Sequence, residues 1–210
     1  MLNVVAVGSM VASLLAPTSA LASTPTAEIM APSEINVEVV TVNGSGCPSG
    51  QGTVIMSPDR ASFRVFSPAY IAWVGGPASP TDFRQNCQLN LHVSRPQGLT
   101  YAVARIDSSG FAHLASGASG VSRLSLYFQG VSQTTTLTHT FAGPMTAPWS
   151  TTDTIGPDEL NYAPCDADRN LNVNTQLRVI RGTSDPDVAS LMVRDQITDF
   201  RLTWKSCPST

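Results

Sequence analysis

The chain has 210 residues, enough for one large domain, and only 13 % of them are charged, about half the share that is usual in globular proteins. The net charge is −3, and the eleven arginines and single lysine form no basic cluster along the sequence, which excludes the electrostatic binding of nucleic acid. A surface of this composition must be rich in hydroxyl and amide groups, as is common outside cells.

The N-terminal segment has the features of an export signal. Residues 1–16 carry no charged side chain and are rich in Val, Leu and Ala. Ala20-Leu21-Ala22 then places small residues where signal peptidase needs them, so we expect cleavage after Ala22. The apolar stretch is shorter than the roughly 20 residues of a membrane span, and Pro17 interrupts it. We therefore predict a signal peptide over residues 1–22, a secreted protein, and no membrane span after cleavage.

The mature chain is predicted to form one β-rich domain behind a short arm. Residues 23–34 repeat Ser, Thr, Pro and Ala, which is typical of a flexible or extended arm. From residue 35 onward, apolar and polar residues alternate, and turns with Gly or Pro recur about every 10 to 12 residues. This rhythm predicts an all-β fold over residues 35–210, an antiparallel β-sandwich of jelly-roll type.

The individual strands can be predicted from the same alternation and its interruptions. In chain order they are 35–39, 53–57, 61–66, 70–74, 87–93, 99–107, 111–116, 121–129, 133–141, 171–180 and 197–206. Ser108-Ser109-Gly110 is predicted to be a turn between two strands, and residues 143–164 a long irregular loop. Asp185-Pro186-Asp187 is predicted to cap one short helix.

The cysteines predict two disulfides, because an exported chain with an even number of them meets an oxidising environment. They are Cys47, Cys87, Cys165 and Cys207. No C-x-x-C pair occurs, so a zinc knuckle or a thioredoxin-type site is not supported. Three pairings are open. We favour the pairing in sequence order, in which each bond closes a loop of roughly 40 residues and contributes roughly 4 kcal/mol to stability in the chain-entropy model.

Several short motifs occur in a characteristic order along the chain. They are Asn43-Gly44-Ser45-Gly46-Cys47-Pro48, Arg84-Gln85-Asn86-Cys87-Gln88-Leu89, Phe141-Ala142-Gly143-Pro144, Cys165 ahead of Leu171-Asn172-Val173-Asn174, and Leu202-Thr203-Trp204-Lys205-Ser206-Cys207. With the four cysteines, this order resembles the secreted domain-of-unknown-function family 4360 of fungi and bacteria. The resemblance covers residues 35–207. It implies export and a β-rich fold, and it supplies no catalytic residues.

The clearest polar constellation follows Cys165. Its members are Asp166, Asp168, Asn170, Asn172 and Asn174. In an extended chain, every second side chain lies on one face, so these carboxylates and carboxamides would form a stripe. The stripe could bind Ca²⁺ through oxygen atoms or hydrogen-bond the hydroxyls of a sugar. It lacks the Gly and Glu that an EF-hand loop requires, and the alternative is a solvated strand face with a turn.

Aromatic and histidine side chains offer further candidates. Trp149 and Tyr162 lie in the predicted irregular loop and could contact sugar rings; the alternative is that they pack this loop onto the sandwich. Three histidines could bind a transition metal if the fold brought them together, although isolated histidines are more often surface residues. They are His92, His113 and His139. Asn43-Gly44-Ser45 is an N-glycosylation sequon, and its alternative is a plain turn.

Two functional hypotheses remain from the sequence. The first is a non-catalytic secreted protein that binds a glycan or a cell-surface protein. The alternative is a small hydrolase of polysaccharide with two carboxylates as acid and base, and its candidates by residue type are Asp82, Asp153, Asp158 and Glu159. No Gly-x-Ser-x-Gly motif occurs, so no catalytic residue is assigned, and the only candidate cofactor is Ca²⁺.

Overall fold

The computed structural model describes residues 31–32, 34–48 and 51–208. The predicted signal peptide and residues 23–30 and 33 of the predicted arm lie outside this range. The strands are β1 Asn36–Asn43, β2 Thr53–Met56, β3 Ser62–Phe66, β4 Tyr70–Val74, β5 Arg84–Ser94, β6 Leu99–Leu114, β7 Ser119–Phe128, β8 Thr134–Ala142, β9 Met145–Thr154, β10 Leu171–Ile180 and β11 Ser190–Ser206. A single 3₁₀ turn spans Pro157–Glu159 within the described residues.

Two antiparallel sheets form a sandwich, which confirms the predicted fold class. One sheet has five strands in the order β1-β5-β10-β7-β8. The other has the order β2-β3-β11-β6-β9, and β4 pairs with the first part of β11 beside β3. From β5 to β11 the chain changes sheet at every connection except that between β7 and β8. No helix in the described part of the chain is long and apolar enough to cross a membrane.

The core lies between the sheets and follows from the alternation in the sequence. In β5 and β10 the side chains of Leu91 and Val173 point inward and are fully buried. Phe63 of β3 stacks on Phe200 of β11 with ring centres 5.0 Å apart. Because strand residues alternate between faces, the polar residues between these core positions must point away from the sandwich.

Both disulfides form with the favoured pairing. Cys47–Cys87 joins the segment after β1 to β5, and its Cα atoms are 5.2 Å apart. Cys165–Cys207 joins the segment before β10 to the residue after β11, with Cα atoms 5.8 Å apart. The bonds join cysteines 40 and 42 residues apart in the sequence, as in the pairing that we favoured.

The predicted turn at Ser108-Ser109-Gly110 is wrong, because β6 continues through it. Gly110 lies opposite Trp149 of β9, and a Cβ atom on this glycine would overlap the indole ring. Ser108 is buried and bonded to Arg194. The glycine thus makes room for a neighbouring side chain. Ser108 accepts a hydrogen bond from a buried guanidinium, and Ser109 donates one to the Asp195 carboxylate at 2.7 Å.

The predicted irregular segment is wrong over residues 145–154 but correct over residues 155–164, which contain no strand; the predicted helix is wrong. Residues 145–154 form β9, which pairs with β6 along its whole length. Pro148 is tolerated because β9 is an edge strand, where one N–H need not enter a ladder. At Asp185 the chain makes a turn in which the Asp187 N–H donates to the Asp185 carboxylate, and β11 begins soon after, at Ser190. The prediction from sequence therefore assigned fewer strand residues to the C-terminal half than the structure contains.

Candidate functional site

The outward side of the five-stranded sheet carries a dense set of amide and hydroxyl groups. Leu89 and Leu91 of β5 point into the core, so the residues between and beside them point outward. We call this surface the polar face. It consists of Arg84, Asn86, Gln88, Asn90 and His92 from β5, Asn172, Asn174, Gln176 and Arg178 from β10, and Arg123, Ser125 and Tyr127 from β7.

The strand register arranges these side chains in rows across β5, β10 and β7. The rows are Asn90, Asn172 and Tyr127; then Gln88, Asn174 and Ser125; then Asn86, Gln176 and Arg123. Side chains within a row are about 5 Å apart, and successive rows are about 7 Å apart. Every row therefore contains amide side chains, at a regular spacing along the strands.

One part of the polar face is already internally bonded. Asn170 Nδ2 donates to Asn90 Oδ1 at 2.6 Å, and Asn90 Nδ2 donates to Asn172 Oδ1 at 3.0 Å. Asn172 is only 6 % exposed. This chain of three amides holds Asn90 and Asn172 in place, and the half-buried Tyr127 is the cross-strand partner of Asn172.

The neighbouring row lies in a groove of about 250 Å³. The groove is lined by Arg84, Asn86, Gln88, Arg123, Ser125, Asn174, Thr175 and Gln176. The Oδ1 atom of Asn174 is buried there and has no hydrogen-bond partner among the described residues. A buried acceptor without a donor costs roughly 1–3 kcal/mol, so native proteins rarely keep one without a reason. The carbonyl end of Asn174 is enclosed, and the groove offers a ligand the half-buried amide and hydroxyl groups of Gln88, Ser125 and Gln176 beside it.

The predicted stripe after Cys165 is only partly on this face. Asn172 and Asn174 lie within it, and Asn170 borders it through its bond to Asn90. Asp166 and Asp168 precede β10 in a bend, so the five residues do not form one straight strand face. His92 Nε2 donates to Asp168 Oδ2 at 3.0 Å.

Asp166 and Asp168 line a second pocket of about 390 Å³ at the end of the sheet, beside the Cys165–Cys207 disulfide. Arg95 Nη1 lies 3.9 Å from Asp168 Oδ1 and, like His92, belongs to the lining. In the described part of the chain, no three His, Cys, Asp or Glu side chains are grouped as a metal site would need. Calcium binding at these two aspartates stays a prediction.

Trp149 cannot contact a ligand, so that prediction is wrong. It is 4 % exposed, its Nε1 donates to the Val193 carbonyl oxygen at 3.1 Å, and its ring packs against Phe141. Tyr162 keeps a half-buried ring, but Lys205 Nζ lies 3.7 Å from its centre. Tyr127 is instead the aromatic residue of the polar face, and only the strand register reveals this position.

The three histidines do not converge on one site. His92 bonds Asp168, His113 bonds Thr146 at 2.9 Å, and His139 bonds Asp153 at 2.9 Å. They belong to β5, β6 and β8, and each has its own partner. The structure therefore offers no support for a site of three histidines.

The carboxylates proposed for hydrolysis are spread over separate elements. Asp153 of β9 is paired with His139 of β8 in the other sheet, whereas Asp158 and Glu159 are exposed on the 3₁₀ turn. Asp82 accepts a hydrogen bond from the Ser79 N–H within its own turn. The sequence offers no reason to choose a pair among them, and the structure does not assemble one.

A different pair of carboxylates does meet on the six-stranded sheet. Asp107 of β6 lies directly opposite Asp199 of β11. The hydrogen bonds from Arg105 lower the pKa of Asp107 from its usual value, and Arg64 Nε donates to Asp199 at 2.7 Å. A general acid for glycoside hydrolysis needs a raised pKa, so this pair has the wrong electrostatics for that role.

Comparison with a known protein indicates the cellular compartment in which this chain is found. Over 181 residues the chain is 29 % identical to an uncharacterized secreted protein of Arthroderma benhamiae, and the match covers 84 % of this chain and 73 % of the relative. Two disulfides also require an oxidising compartment. The protein is therefore secreted.

Matches to solved structures are weak. The enzymatically active domain of tailspike protein 4 of bacteriophage CBA120 has a TM-score of 0.27 and 10 % identity; the match covers 83 % of this chain and only 20 % of that chain. The cryo-EM structure of Broad Bean Stain Virus has a TM-score of 0.26 and 9 % identity, over 80 % of this chain and 91 % of that one. Scores of this size carry no argument about function.

The family assignment rests on nearly the whole described sandwich. Residues 33–207 match the Domain of unknown function family DUF4360, and this range includes all four cysteines and every residue of the polar face. The secreted β-sandwich described above therefore belongs to the DUF4360 family.

Proposed function

We propose that this secreted protein binds a polysaccharide, without a catalytic step, through the polar face. The observation that carries the proposal is the groove of about 250 Å³, which is lined by the amides of Asn86, Gln88, Asn174 and Gln176 and by the hydroxyl of Ser125. Sugar hydroxyls donate and accept hydrogen bonds, and so do Asn, Gln and Ser side chains. A sugar hydroxyl over the groove would donate to the amide oxygen of Gln88 and accept from the amide N–H groups of Asn86 or Asn174.

The arrangement of the rows supports a polymer as the ligand. The amide rows repeat along the strands, so one groove can contact successive residues of an extended chain. The bonded amides of Asn90 and Asn172 and the ring of Tyr127 continue this surface beyond the groove. Because these groups are held by the sheet, little side-chain entropy is lost on binding.

The test measures retention of the mature protein on insoluble cell-wall polysaccharides and its affinity for soluble ones. We expect Asn174→Ala and Gln88→Ala to weaken binding by at least about tenfold, which corresponds to one lost hydrogen bond to a ligand. Gln196→Ala is the matched control, because Gln196 is an exposed glutamine on β11 of the other sheet. Binding to no polymer, or equal losses in Gln88→Ala and Gln196→Ala, would overturn the proposal.

A chelator arm tests whether calcium takes part. If Asp166 and Asp168 hold an ion at the end pocket, chelator weakens retention of the wild type and has no further effect on Asp168→Ala. Retention that is insensitive to chelator removes calcium from the proposal and leaves the groove as the binding site.

A further inference from the structure

The polar face carries an uncompensated positive charge at one end. Arg84 of β5 and Arg178 of β10 are direct cross-strand partners, and Arg123 of β7 lies in the next row, opposite Gln176. All three arginines are exposed. None of them forms an ion pair with another residue in the described range.

The absence of acidic neighbours is a property of the whole sheet. Strands β5, β7, β8 and β10 contain no Asp or Glu, although the chain as a whole has 15 acidic residues against 12 basic ones. The one acidic residue among the five strands is Glu38 of β1, which lies opposite His92 at the far end of β5. Asp82, two residues before Arg84, is bonded to Ser79 in its own turn.

Like charges directly opposite each other in a sheet are destabilising. The chain nevertheless places two arginines in that relation on a protein whose net charge is −3. An anion bound between the guanidinium groups would reduce this repulsion. The arrangement therefore favours an anionic ligand at this end of the face.

The groove and the arginines are one site. Arg84 and Arg123 both line the 250 Å³ groove that contains Asn174. Arg84 Nε donates to Gln176 Oε1 at 2.6 Å, which orients the guanidinium and leaves its outer N–H groups free for a ligand. The Arg178 guanidinium lies 5.7 Å from the centre of the Phe83 ring, so it too is held at the edge of the face.

We infer that the groove takes the carboxylate of a uronic acid residue, so that the polysaccharide bound is an acidic one. The inference rests on the proposed function and names the class of its ligand. A guanidinium presents a planar fork of N–H donors that matches a carboxylate in a bidentate manner. The amides of the same groove are left for the hydroxyls of that residue and its neighbours.

The experiment compares two forms of one polymer, polygalacturonate and the same polymer with its carboxylates methyl-esterified. Titration calorimetry at low salt should show at least about tenfold tighter binding of the acid form, as expected for one charge-assisted hydrogen-bonded pair. The difference should shrink as salt is raised, because exposed charges are screened. We expect Arg123→Gln to reduce the affinity ratio between the two polymers by about tenfold.

Arg201→Gln is the matched control, since Arg201 is an exposed arginine on β11 of the other sheet, and it should keep the wild-type ratio. Thermal melting checks that each variant is folded. Equal binding of the two polymers by the wild type overturns the inference but supports glycan binding, whereas binding of neither overturns both. Tighter binding of a sulfated polymer than of polygalacturonate overturns the carboxylate assignment.

Discussion

Arg194 Nη2 donates a 2.7 Å hydrogen bond to Ser108 Oγ inside the sandwich, where the arginine is only 2 % exposed. Its other partners are the hydroxyls of Ser122 and Thr198, and no carboxylate of a described residue pairs with it. Burial lowers the pKa of this guanidinium from its usual value. The core thus holds a cation by neutral hydrogen bonds alone, which makes Arg194 a sensitive position for stability.

We expect Arg194→Ala to lower the free energy of unfolding by about 3 kcal/mol, because it leaves a cavity and three hydroxyls without their donor. Arg194→Met fills most of the same volume and removes the cost of burying a charge, so it should be less destabilising by about 2 kcal/mol. Urea unfolding followed by tryptophan fluorescence measures both. An alanine variant as stable as the wild type would contradict this account.

Two asparagines of the polar face should respond in opposite ways. Asn174→Ala removes a buried acceptor that has no partner, so the unfolding free energy should stay the same or rise by up to about 1 kcal/mol. Asn90→Ala removes the hydrogen bonds of Asn90 to Asn170 and Asn172, so it should lower the unfolding free energy by about 1–2 kcal/mol. Denaturant titration of the two variants without ligand makes the comparison, and a clear loss of stability in Asn174→Ala would show that its side chain is structural.

Two glycines provide a matched pair for packing. A Cβ atom on Gly110 would overlap the Val193 carbonyl oxygen and the Trp149 ring, so Gly110→Ala should cost about 3 kcal/mol. Gly156 has φ −63° and ψ 152°, and nothing lies within 4 Å of a Cβ placed on it. Gly156→Ala should therefore be neutral or stabilise by up to about 1 kcal/mol. Thermal melting compares the two, and similar midpoints would mean that β6 and β9 do not pack as described.

Asp107 should make a small, pH-dependent contribution to stability. Its pKa is lowered in the folded state by Arg105, so the stabilisation is present above its unfolded pKa and is lost as the pH falls through the folded one. The carboxylate is 37 % exposed, and solvent screening limits the effect to under about 1 kcal/mol. Asp107→Asn should thus be destabilising at pH 7 and neutral near pH 2. Urea unfolding at both pH values measures the difference. An equal loss of unfolding free energy at pH 7 and pH 2 would mean that the side chain stabilises the fold by packing and not by its charge.

Local patterns in the sequence predicted most of the sandwich. The alternation of Leu89 and Leu91 with polar residues defined β5, and the count and order of the cysteines led to the correct disulfides. Pro148 and Gly110 led to wrong predictions of a loop and a turn, because both residues lie within strands. Pro148 is tolerated because β9 is an edge strand, and Gly110 makes room for the Trp149 ring. Such roles depend on tertiary contacts, which periodicity does not contain.

The candidate site was predictable only in part for the same reason. Asn172 and Asn174 belong to a recognisable stripe, but Asn90 lies 82 residues before Asn172 and joins it only through the pairing of β5 with β10. Arg84 and Arg178 are likewise far apart in the sequence and adjacent in the sheet. Without the strand order, neither the rows of amides nor the concentration of positive charge could be recognised.

The pairing of β5 also determines how the molecule would be presented on a support. Asn36 at the start of β1 lies opposite Ser94, and the Cys207 N–H donates to the Gly98 carbonyl oxygen, so both ends of the described sandwich emerge near the same rim. Arg84, at the other end of β5, is about 34 Å away at the usual rise of an antiparallel strand. A molecule anchored at either end would therefore hold its arginine-bearing rim outward, which makes a C-terminal tag the natural choice for surface-capture measurements of polymer binding.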